Sequence, residues 1–194
     1  MRRRTLDALL TTGGLVLAAL LLVSGGLLSW AHAFISDQVS TQLSAQQIFF
    51  PPKGPATASP EIGPFINQYA GQQLKTGDQA AAFANHFIAV HLKESGGGLT
   101  YSELSAKSRA NPSDLKLADS VNTAFKGETL RGLLLNAYAF AKMGQIAFIA
   151  AVVSFTGAAL MLLLSLLGFA HLRRVSPEVE VLTVHAHYKE PATA

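Results

Sequence analysis

The chain has 194 residues, a formal net charge of +3 from fifteen Lys/Arg and twelve Asp/Glu, and no cysteine. So small a charge gives no field to steer an anionic polymer, so nucleic acid is not an expected partner. The missing thiols exclude thiolate catalysis, zinc–thiolate sites, cysteine-ligated iron–sulfur clusters and disulfide staples.

The first element is an uncharged run from Ala8 to Ser36 behind Arg2, Arg3 and Arg4. The second is Met143 to Leu172, followed by Arg173 and Arg174. Each exceeds the roughly 20 apolar residues that a helix needs to cross a bilayer core. The basic flanks place both termini in the cytoplasm and residues 36–142 outside. Trp30, Phe34, Tyr138 and Phe140 stand at the outer ends of the runs, where interfacial rings are favoured. The expected fold is an all-α membrane protein, with two transmembrane helices (8–35 and 143–172) forming a hairpin under a small, mainly helical extracytoplasmic head. Residues 1–7 and 173–194 would be cytoplasmic. A cleaved signal peptide is the alternative for the first run, because Ala31-His32-Ala33 has the small-x-small form of a cleavage site. The run is about twice the usual 7–15 residues of a signal's apolar region, which favours an uncleaved anchor.

Within the spans, small residues recur at helix-face spacing. Gly144, Ala147, Ala151, Ser154, Ala158, Met161, Ser165 and Gly168 alternate steps of three and four. Gly14 and Ala18, then Gly25, Ser29 and Ala33, follow four-residue steps in the first span. Such faces let helix backbones approach closely, with dispersion and serine hydrogen bonds as the attraction. The two spans packing on each other, or a span docking on another protein, both satisfy this pattern.

Both helices should continue outside the bilayer. Ile35, Val39 and Leu43 extend the apolar stripe towards Pro51-Pro52, where any helix must end. No proline interrupts Leu130 to Leu172, about 65 Å of helix, roughly twice the bilayer core. Five prolines make residues 51–64 an irregular loop. Thr76-Gly77-Asp78 caps a helix carrying Ala82, Phe83, Phe87, Val90 and Leu92, which Gly96-Gly97-Gly98 stops. Thr100 and Glu103 form a capping box for a short helix to Ala110. Asn111-Pro112-Ser113 breaks the chain before a helix with Leu115, Leu117, Val121 and Phe125.

Chemistry-bearing residues are sparse. His86 and His91 are five apart, which turns them about 140° from each other on a helix and spoils a shared metal site. Glu94, Glu103, Asp114 and Asp119 are scattered and read as solvated charges and dipole partners. No cofactor, metal or catalytic residue is expected, and the chain reads as non-enzymatic. Residues 177–188 are rich in β formers, with Val179, Val181, Thr183, His185 and His187 on one strand face. They form either a disordered tail or a strand added to a partner's sheet.

The order of these features is familiar: an N-terminal span, Val39-Ser40-Thr41-Gln42-Leu43-Ser44-Ala45-Gln46-Gln47-Ile48, then Gln68-Tyr69-Ala70, Thr100-Tyr101-Ser102-Glu103, and a basic-flanked second span. It resembles a group of small actinobacterial two-span membrane proteins of unassigned function, over most of residues 10–172. Members often carry an automatic label as aromatic ring-opening dioxygenase-like. That chemistry would need iron ligands in a buried pocket, and the sequence offers no such set. The resemblance implies an actinobacterial envelope protein.

The expected function is therefore an accessory or scaffold subunit of a cell-membrane complex. Its partners would be membrane lipid and a protein met through the transmembrane helices or the C-terminal tail. The alternative is an envelope sensor or carrier whose head holds an apolar ligand between Phe83, Phe87, Val121 and Phe125.

Overall fold

A computed structural model describes residues 3–174; the strand-like segment at 177–188 lies outside the described residues. Every regular element among them is helical: α1 (Arg3–Ala45), a 3-10 turn (Pro55–Thr57), α2 (Gly63–Ile66), a second 3-10 turn (Asn67–Tyr69), α3 (Gly77–Ala82), a π turn (Phe83–Ile88), α4 (Ala89–Ser95), α5 (Tyr101–Ala110) and α6 (Leu115–Leu172). Two of these, α1 and α6, are long and apolar enough to cross a membrane. The chain divides into two compact units, one of residues 3–29 with 149–174 and one of Trp30–Phe148.

The first unit consists of parts of α1 and α6. Its contacts pair Thr11 with Gly168, Gly14 with Ser165, Leu21 with Gly157 and Gly25 with Phe155. Residue numbers rise along one helix as they fall along the other, so the two run antiparallel here. Their outward faces carry large exposed apolar side chains, among them Leu9, Leu20, Val153 and Leu160.

The second unit has a true core. Leu43 of α1 and Leu134 of α6 pack with Phe50, Ile62, Ile66, Leu74, Phe83 and Ile88. Capping explains where its helices begin. Thr76 Oγ1 accepts from the Gln79 amide at 3.2 Å, while Gln79 Oε1 accepts from the Thr76 amide at 3.1 Å, which satisfies two of the first-turn N–H groups. Thr100 and Glu103 repeat the device at α5. From Gly77 the helix continues through the π turn into α4, ending at Gly96 to Gly98, where Gly97 and Gly98 take left-handed φ of 60° and 80°.

Three features differ from the sequence expectation. First, α1 stops at Ala45, well before Pro51, because Gln47 adopts a left-handed φ of 52°. Gln73 Nε2 donates to the Ser44 carbonyl at 2.8 Å and closes the helix end. Second, no boundary separates the helix at Leu115 from the one at Leu130; α6 is a single element of 58 residues. Gly127 is a point of close approach there, since a Cβ would meet the Leu92 side chain. Third, residues 48–50 and 72–74 pair as extended chain, with Phe50 N donating to Gln72 O at 2.9 Å and Leu74 N to Ile48 O at 2.8 Å. They form the one isolated bridge, Phe49 with Gln73, among the described residues.

Candidate functional site

Of the small residues singled out in the sequence, Gly14, Ala18, Gly25, Gly144, Ala147, Ala151, Ser154 and Ala158 lie on the inner faces of α1 and α6. In the first unit Ala18 and Ala158 are 0% exposed, Ala151 and Gly25 are buried, and Gly14 and Ser154 are half-buried. In the second unit Gly144 is buried and Ala147 half-buried. The burial of α6 follows a strict seven-residue period, through Gly144, Ala151, Ala158 and Ser165. On α1 the same period runs through Thr11, Ala18 and Gly25, each followed three residues later by Gly14, Leu21 and Leu28 in turn. A repeat of seven is the mark of helices that stay in contact by winding slightly around each other.

The four-residue spacing on α1 departs from the packed face at one end. Ala33 is exposed, and Leu28 and His32 turn inward in its place. Each four-residue step advances about 40° around a helix, so Ala33 is about 80° from Gly25, whereas a seven-residue step lands within about 20°. His32 is consequently an inner-face residue. Its Nδ1 lies 2.9 Å from the Gly144 carbonyl and its ring packs 5.0 Å from Phe148.

Hydroxyls on or beside these faces serve their own helix. Thr11 Oγ1 donates to the Asp7 carbonyl at 2.7 Å and Ser29 Oγ to the Gly25 carbonyl at 2.8 Å. Both are back-bonds to residue i−4. At these positions the attraction between helices is close packing of small residues rather than hydrogen bonding. A Cβ on Gly25 would come within 2.9 Å of the Phe155 ring, and one on Gly144 within 3.1 Å of Ile35 Cγ2. Glycine is what admits those side chains.

In the second unit α3 rests directly on α6. A Cβ on Gly77 would collide with the Ala141 side chain and come within 3.3 Å of the Tyr138 backbone. Asp78 anchors the contact through Lys142, at 3.0 Å. That hydrogen bond raises the Lys142 pKa from its ordinary value against the opposing effect of desolvation, with the Asp78 and Tyr138 charges adding to the rise. The ammonium also stands 5.3 Å from the Tyr138 ring centre, within cation–π range.

The histidines suggested by sequence are set apart in role. His86 stacks flat on Phe65, with centroids 3.6 Å apart, and His91 Nδ1 lies 2.8 Å from the Phe87 carbonyl of its own helix. Among the described residues no three His, Cys, Asp or Glu side chains are grouped to hold a metal ion. The four apolar residues of the suggested ligand site differ in burial, with Val121 half-buried. Phe83 and Phe87 pack in or against the core, while Phe125 is 55% exposed and pairs with Tyr101.

The concavity of interest lies elsewhere in the second unit. A groove of about 580 Å³ runs between residues 34–46 of α1 and 130–143 of α6. Phe34, Ile35, Val39, Leu133, Phe140 and Met143 supply its apolar walls, and Gln38, Gln42, Gln46 and Asn136 its polar groups. No charged residue lines it. The stripe Ile35, Val39, Leu43 is legible in the sequence as a continuing helix, but nothing local says which part of α6 it faces, so the groove is not.

No protein family matches the chain, and no curated protein or solved structure is significantly similar to it.

Proposed function

We propose that the chain is an integral protein of the cell membrane. Residues 8–35 and 143–172 cross the bilayer as an antiparallel hairpin with cytoplasmic ends, and residues 36–142 stand outside as a helical head. It acts as a non-enzymatic accessory or scaffold subunit of an envelope complex. The observation that carries the membrane assignment is the surface of the first unit. Two helices alone leave Leu9, Leu20, Val153 and Leu160 exposed all around, an apolar surface far larger than water tolerates and suited to lipid.

The first span is retained in this reading. His32, which cleavage after Ala33 would remove, belongs to the second unit, where its Nδ1 lies 2.9 Å from the Gly144 carbonyl. Cleavage after Ala33 would cut α1 in mid-helix and remove every α1 contact of the first unit. Because the small-residue faces are already filled by each other, a protein partner would meet the outward faces, the head or the tail.

The test is extraction from native membranes in a mild detergent, followed by native electrophoresis and identification of what migrates with the chain. A defined heteromeric band supports the subunit role. Migration as a lone protomer, with nothing held in stoichiometric amount, would remove it.

A further inference from the structure

We draw no further inference here: the strongest candidate, the apolar groove between residues 34–46 of α1 and 130–143 of α6, is an unpartnered face of the second unit, and nothing in the structure shows what covers it.

Discussion

Single glycines in this protein divide by what surrounds them. At Gly77 a methyl group meets the Ala141 side chain and the Tyr138 backbone, neither of which can swing aside. Gly132, in the middle of α6, has nothing within 4 Å. Gly77→Ala should therefore destabilise the head by about 1–3 kcal/mol through overpacking, whereas Gly132→Ala should stabilise it by about 0.5–1 kcal/mol through helix propensity. Thermal unfolding of the two purified variants checks both signs. Glu103 offers a second residue-scale test. Its carboxylate accepts from the Thr100 amide and hydroxyl, each at 2.8 Å, and the backbone bond is the main reason that its pKa is lowered. A lowered folded value means that the cap stabilises α5 fully above the ordinary carboxylate range and loses that contribution as pH falls through the folded pKa. The protection of the α5 amides, taken relative to their intrinsic exchange rate at each pH, should fall on acidification in the native chain, and Glu103→Gln should flatten that dependence.

At the scale of elements, the pairing of α1 and α6 in the first unit is set by side-chain size. Ala158 is 0% exposed on the inner face, while its neighbour Leu160 is 57% exposed on the outer one. Ala158→Leu pushes three extra carbons into a contact that small residues keep close, and should cost about 1–3 kcal/mol. Leu160→Ala removes surface that faces outward and should stay within about 0.5 kcal/mol. Denaturation by detergent titration ranks the two, and equal effects would contradict the assigned faces. The caps act at the same scale. Thr76→Ala leaves the Gln79 amide without its acceptor and should cost about 1 kcal/mol, read as a lower Tm.

For the molecule as a whole, the decisive prediction concerns sidedness. The chain has no cysteine, so a single introduced one reports its own location. Lys53→Cys, in the proline-rich loop, should react with a membrane-impermeant maleimide in intact cells. Thr5→Cys, beside the N-terminal arginines, should react only after permeabilisation. The opposite pattern would invert the proposed topology.

Much of the local structure is legible in the sequence because its causes are local. The uncharged runs fix which segments are long apolar helices, since a helix satisfies its own backbone and apolar side chains need no particular neighbour. Thr76 and Thr100 mark helix starts because a cap needs only a residue three positions on. Gly96 to Gly98 mark a stop for the same reason. Other features depend on what meets what. The end of α1 at Ala45 is closed by Gln73, 28 residues away, and the unbroken passage through Gly127 depends on Leu92 lying against it. That His32 rather than Ala33 faces inward follows from two helices holding a seven-residue register together. The groove exists only because Ile35 and Val39 come to face Leu133 and Met143 across some hundred residues of chain. The sequence alone determined that two apolar helices flank a helical region; tertiary packing decided which of their faces are spent on each other and which remain exposed, because a face is defined only by its neighbour.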